Sequence, residues 1–265
     1  MLFSRRSALV CSFSAVLAAS LPVAGCTRVS GVARANNIVK TRVTVLGAIH
    51  STHRTSTLYS LDVLRAAIRR AQPDVILTEI PPDRIAEAKR GFAETGRVTE
   101  ARTSVFPEYT DVVFPLSREI PFEIEPAAGW TREIAVNRSA ALKRIEEDPA
   151  RAEQWAEHLA ARRQYRQDIG NRGDDPLFIH TSEYDALVEK AQTPYQRYFD
   201  ADLGPGGWSQ INDAHNSLIN VGLDRVSGQG KRVLVTFGSW HKYKILRSLS
   251  GRSDIEFADA RELFV

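Results

Sequence analysis

Cysteine is almost absent from this chain of 265 residues; only Cys11 and Cys26 occur, both close to the amino end. The body of the protein therefore has no thiolate metal ligand, no cysteine nucleophile and no Cys-x-x-Cys redox pair, and haem could not be attached through Cys-x-x-Cys-His. Any metal would have to be held by nitrogen and oxygen. A surplus of one charge is missing too: 35 basic and 32 acidic residues leave +3, and without Arg5 and Arg6 the balance is +1. That is no basic field for nucleic acid, and none is expected as a partner. His-Glu-x-x-His, Gly-x-Ser-x-Gly, a Walker A loop and Gly-x-Gly-x-x-Gly are all lacking, which removes the commonest local signatures of zincins, α/β-hydrolases and nucleotide binders. A dispersed Ser-His-Asp set has no obligatory spacing and stays open.

The first residues read as targeting rather than fold. Arg5 and Arg6 precede an apolar run from Ala8 to Ala24, and Val23-Ala24-Gly25-Cys26 has the small-small-Cys ending of a bacterial lipobox. The expectation is a signal peptide over 1–25, lipidation of Cys26 and a polar, basic tether over 26–40. Ser4-Arg5-Arg6 matches a twin-arginine signal only in part, and an ordinary cleaved signal ending near Ala33-Arg34-Ala35 is the alternative. The lipobox places the protein in the bacterial envelope, membrane-anchored through Cys26 and facing the periplasm. Thr27, where inner-membrane retention commonly uses Asp, favours the outer membrane.

Residues 41–265 suit a single α/β domain with a mixed, largely parallel central sheet flanked by helices. Thr41–Leu46, Asp74–Glu79 and Arg232–Phe237 are β-branched runs of the kind buried on both faces. Glu119–Glu125 and Ile255–Ala258 are further strand candidates. Helices are expected over 58–71, 83–95, 210–226 and 242–250. A charged helical insertion spans about 130–200, with a break at Asp148-Pro149 and a further helix over 183–200. Its many charges read as a solvated face, with a substrate groove as the alternative.

Chemistry concentrates where strands end. Gly47-Ala48-Ile49-His50 and Gly238-Ser239-Trp240-His241 each close a strand-like run, and Glu79 closes a third. Parallel neighbours would bring the three together at the carboxyl edge of the sheet, where open α/β sheets bind ligands. Two imidazoles and a carboxylate with room for water form a catalytic metal site for Zn, Mn, Co or Fe. Glu79 is either a ligand or a general base. His53 is a candidate fourth ligand, and Arg54 a candidate clamp for a substrate carboxylate. Glu108, Asp111, Glu123 and Glu125 are candidates to hold a histidine's second nitrogen. His158 and His180, in the insertion, read as structural or surface residues.

The stretches Val45–His50, Tyr59–Leu64, Val75–Glu79 and Val235–Tyr243 resemble the opening and closing motifs of the TraB/TIKI superfamily, which includes GumN-like proteins. The likeness covers roughly 41–84 and 231–257. Its members are known or predicted metal-dependent proteases, related more distantly to erythromycin esterase-like enzymes and ChaN-like haem-binding lipoproteins. The resemblance implies metal ligation by His50 and His241, an essential acid at Glu79, and a peptide or small ester or amide as substrate. It also implies a polar helix before the last core strand, often carrying Arg-Asn. Here that helix reads Asn212-Asp213-Ala214-His215-Asn216, with His215 where arginine is expected; Asp213, His215 and Asn216 are candidates to orient substrate, and a further metal ligand or an exposed helix residue are the alternatives for His215. The expected activity is a lipid-anchored metal-dependent hydrolase of amide or ester bonds. A haem- or iron-binding lipoprotein and a metal-free hydrolase with His50 as base are the alternatives.

Overall fold

Five strands form one sheet in the order β3-β2-β4-β1-β5, and every pairing is parallel. The computed structural model describes residues 39–265. The expected signal peptide, the lipid site at Cys26 and most of the tether lie outside the described residues. Among the described residues no helix is long and apolar enough to cross a membrane.

The strands are β1 (Thr41–Ala48), β2 (Val75–Thr78), β3 (Glu123–Pro126), β4 (Arg232–Gly238) and β5 (Ile255–Phe257). Their alternating side chains feed two cores. Leu46, Ile76, Ile124 and Leu234 face one, with α1 (Leu61–Ala71) against them. Val43, Val45, Val75, Leu77, Val233, Val235 and Phe237 face the other, where α8 (Trp208–Val226) and α9 (Lys242–Leu249) contribute Ile219, Leu223, Ile245 and Leu249. With both faces covered, apolar residues can occupy every position of the inner strands, which is why these runs do not alternate with polar ones. The α/β reading holds, and the sheet is wholly parallel.

The chain leaves β2 toward β3 and leaves β4 toward the β1 and β5 side, so its direction switches between β2 and β4, which are adjacent. Crossovers diverging from neighbouring strands leave a crevice at their carboxyl ends. The register pairs Ala48 with Gly238 and Thr78 with Thr236, so the residues just beyond β1, β2 and β4 emerge side by side.

The remaining helices are α2 (Pro82–Thr95), the single turn α3 (Phe114–Leu116), and α4 (Arg132–Glu147), α5 (Ala152–Ile169), α6 (Pro176–Ile179) and α7 (Ser182–Leu203) of the insertion. Local chemistry moves several boundaries. Helix α1 starts at Leu61 rather than 58 because the Ser60 hydroxyl accepts from Val63 N–H as a cap. The turn between Leu116 and Ile120, closed by Glu119 N–H and Ile120 N–H on the Leu116 carbonyl, delays β3 to Glu123. A π-helical turn over Glu108–Val113, for which the sequence holds no period of its own, precedes α3.

Candidate metal centre

Glu79 sits immediately past β2 and is 5% exposed. Its Oε2 accepts the Gly238 N–H at 2.8 Å, and its own N–H donates to Tyr109 Oη at 2.8 Å. Tyr109 in turn donates to the Thr236 carbonyl at 2.8 Å, tying the π-helical turn to the ends of β2 and β4. Burial pushes the carboxyl up, but His241, His50 and His215 and the Gly238 N–H together outweigh it, and the pKa ends below the ordinary value. Glu79 is therefore held as a carboxylate in a buried place.

His241 follows β4 and stacks on Trp208, with ring centroids 4.8 Å apart. Its Nδ1 lies 2.8 Å from Asn212 Oδ1 and donates to it, leaving the Nε2 lone pair directed elsewhere. That nitrogen is 3.9 Å from Glu79 Oε1. Burial lowers the pKa of His241 despite the neighbouring Glu79, so the neutral ring a metal needs is favoured.

His50, just past β1, adopts a positive φ of 50°, uncommon outside glycine although histidine enters this region more readily than most residues. The turn sends the ring back over β4: an added Cβ at Gly238 would stand 2.5 Å from His50 Nε2 and 3.4 Å from Glu79 Oε2. This close approach is what glycine at 238 permits. At the other side of the ring Nδ1 lies 2.6 Å from Glu108 Oε1, a carboxylate with no exposure. Burial pushes the His50 pKa down, but the hydrogen-bonded Glu108 carboxylate, aided by Glu79, reverses this and raises it. Of the four carboxylates that the sequence offers to a histidine's second nitrogen, Glu108 is the one so placed. Asp111 pairs with Arg54, Glu125 with Arg225, and Glu123 lies exposed in β3.

His215, on the buried face of α8, completes a tight group: one polar atom each from Glu79, His215 and His241 lies within 4.8 Å of the other two. Proximity alone would make this the ligand set. The hydrogen bonding argues otherwise, because His215 Nδ1 accepts the Gly129 N–H at 2.7 Å. An acceptor nitrogen carries no proton, so in the neutral ring the proton sits on Nε2. Burial, with His241 adding, holds the pKa down at about 3, so that neutral form prevails. Its Nε2 is buried without a hydrogen-bond partner among the described residues. His215 thus presents an N–H donor to the centre, whereas His50 and His241 have their Nδ1 atoms taken by Glu108 and Asn212.

Three expectations are corrected. His53 is not at the centre: its Nδ1 donates to the Tyr59 carbonyl at 2.7 Å and its Nε2 accepts the Ile49 N–H at 3.1 Å, so both ring nitrogens hold the turn after β1. Arg54 is engaged at the surface by Asp111, 3.1 Å away. On α8 the buried polar stripe is Asn212, His215 and Asn216, with Asp213 exposed, because positions three and four beyond Asn212 share its helical face. Asn216 is buried with its Oδ1 unpartnered among the described residues. His180 is structural: Nε2 accepts the Gly47 N–H and Nδ1 donates to the Pro176 carbonyl. Asn212 and Tyr109 are the site residues that sequence reasoning missed.

The centre opens onto a cavity of about 350 Å³ lined by Ala48, His50, Arg162, Tyr184, Trp240 and His241, among others. A carboxylate and two imidazoles drawn from Glu79, His215, His241 and His50 are donors that could hold a divalent metal. No family model matches this chain, and neither does any curated protein or solved structure.

Proposed function

We propose that this chain is a metal-dependent hydrolase of an amide or ester bond, with the cation held by His50, Glu79 and His241. The observation that carries the reading is the pair of second-nitrogen bonds, His50 to Glu108 and His241 to Asn212, which occupy both Nδ1 atoms and leave the Nε2 of His241 3.9 Å from the buried Glu79 carboxylate. Metal-binding histidines characteristically have this outer support. A bound divalent ion would polarise the scissile carbonyl and bring water within reach of ionisation near neutral pH.

The protein's own groups supply the rest. Glu79 Oε2 is fixed by the Gly238 N–H, which leaves Oε1 toward His241. His215 offers its buried Nε2–H to the oxygen on which negative charge develops as water adds to the carbonyl carbon, the role of an oxyanion donor. The carbon–nitrogen or carbon–oxygen bond then breaks, and the proton lost by water ends on the leaving group. The likeness to TraB/TIKI proteins supports the same reaction class, and the lipobox ending at Cys26 supports its taking place at a bacterial membrane surface.

Activity toward a panel of peptide, amide and ester substrates is the test, measured before and after chelation and after reloading with Zn, Mn, Co or Fe. Loss on chelation with recovery on reloading is expected, together with loss in His241→Ala. Activity that survives exhaustive chelation would overturn the metal and assign the chemistry to the Glu108–His50 pair.

A further inference from the structure

Beside the centre lies a second cavity, about 490 Å³, between α4, α5 and α7 of the helical insertion. Four arginines line it: Arg138 from α4, and Arg162, Arg163 and Arg166 from α5. None of the four has a carboxylate within salt-bridge distance among the described residues, although most other surface arginines of the insertion and carboxyl region do. Arg162 and Arg166 stand four apart on one helix, where like charges repel. Arg162 is partly buried, and loss of hydration disfavours its charge.

The rest of the wall suits a ligand rather than bulk water. Trp155, Tyr195 and Trp208 give it aromatic surface, and Gln192, 6% exposed, forms no side-chain hydrogen bond among the described residues. Tyr195 Oη lies buried near the Arg138 guanidinium but outside hydrogen-bonding geometry. His158 Nδ1, on the same wall, is likewise buried without a partner.

This cavity adjoins the proposed catalytic centre in two ways. Arg162 lines both it and the cavity that contains His50 and His241, and its guanidinium lies 4.2 Å from the centroid of the Trp240 ring. Trp208 forms part of its wall and stacks on His241. We propose that the arginine-lined cavity binds an oxyanionic group, carboxylate or phosphate, on the substrate whose bond is cut at the Glu79–His241 centre. The inference rests on the hydrolase reading for its second half; the anion site itself stands on the cavity alone. Guanidinium forks meet carboxylate and phosphate oxygens in pairs of charge-assisted hydrogen bonds, which makes unpaired arginines in a concave wall, Arg138 and Arg162 half-buried and Arg163 and Arg166 exposed at its rim, an oxyanion receptor. The substrate class is thereby narrowed to acidic amides or esters.

The test titrates the full chain with inorganic phosphate and, in a separate arm, with succinate, at constant ionic strength adjusted with chloride. Tryptophan fluorescence is the readout, since Trp155 and Trp208 line the wall. Saturable quenching by one or both anions is expected, and which of them binds more tightly tells the source of the oxyanion. Arg162→Ala/Arg166→Ala should weaken it about tenfold or more, Arg162→Lys by less, and Arg97→Ala, an exposed change remote from the cavity, not at all. Arg166→Ala alone serves if the double variant does not fold. No saturation with either anion, or equal affinity in the arginine variants, overturns the proposal. Metal content separates it from the hydrolase reading: the arginine variants should keep bound metal, and His50→Ala should lose metal yet keep the anion response. A loss of the anion response in every variant that lacks metal would also overturn a site built on the cavity alone.

Discussion

Gly238→Ala puts a single methyl group where the centre has no room, and its consequence can be worked from distances. The new Cβ would stand 2.5 Å from His50 Nε2, 3.1 Å from His50 Cε1 and 3.4 Å from Glu79 Oε2. Ordinary contacts between such atoms begin at roughly 3.5 Å, so the ring has to retreat by about 1 Å. It is not free to do so. Glu108 holds Nδ1 at 2.6 Å, Phe106 packs with its centroid 5.0 Å from the ring, and the backbone is already in its left-handed turn. Overpacking of this kind costs about 1–3 kcal/mol. If the ring yields, the fully buried Glu108 loses its charge-assisted partner, which costs about 1–3 kcal/mol. Because a relaxation that avoids one cost incurs the other, destabilisation of about 1–3 kcal/mol is predicted. Urea unfolding of the purified chain measures it. Gly251→Ala, where an added Cβ meets nothing within 4 Å, is the control and should be near neutral. A Gly238→Ala protein within about 0.5 kcal/mol of the parent would refute the crowding argument and the placement of His50 with it.

Acid should weaken the fold through His180. Burial lowers its pKa from 6.5 to about 4, so the unfolded chain binds the proton more readily; the stabilisation is full above pH 6.5 and is lost as pH falls toward 4, by about 2–4 kcal/mol. Denaturant titrations from pH 7 to 4 should show a shallower pH slope in His180→Gln than in the parent, and equal slopes would contradict this. The ion pair of Lys242 with Asp185, 2.6 Å apart with side chains 3% and 17% exposed, should make Lys242→Met costly by about 3–5 kcal/mol. Adding Asp185→Leu should recover much of that loss in the same unfolding assay, and no recovery would show that the charge left behind is not the cause.

The sheet was legible because strands covered on both faces leave unbroken β-branched runs, and β1, β2 and β4 are such runs. The placement of His50, Glu79 and His241 at the carboxyl edge of the sheet followed from topology once the strands were taken as parallel, although the tight group at that edge holds His215 and not His50. What lay beyond those strand ends was harder. Glu108 could only be one of four carboxylates, since the π-helical turn that carries it has no distinctive period. Asn212 was hidden because it works through Oδ1 on a residue 29 positions away, a relation no local spacing encodes. The polar character of the helix over 212–216 was visible, but not the face it buries: Asp213, a candidate on spacing, is exposed, whereas Asn212 is buried. His53 misled for the opposite reason: its nearness to His50 in sequence suggested a shared role, whereas the tight turn consumed both of its nitrogens. In the insertion, alternating charges along α5 concealed that Arg162, Arg163 and Arg166 turn to one cavity.

On the proposed assignment His50 and His241 ligate the metal while His215 donates a hydrogen bond. Cobalt(II) titration of the metal-free chain, followed by its visible absorption, tests this most directly in the parent and in single alanine variants of His50, His215 and His241. One bound ion per chain is expected in the parent and in His215→Ala, with binding weakened by a factor of about a hundred or more when His50 or His241 is removed. Full binding without His50, together with its loss in His215→Ala, would contradict the account and hand the metal to Glu79, His215 and His241.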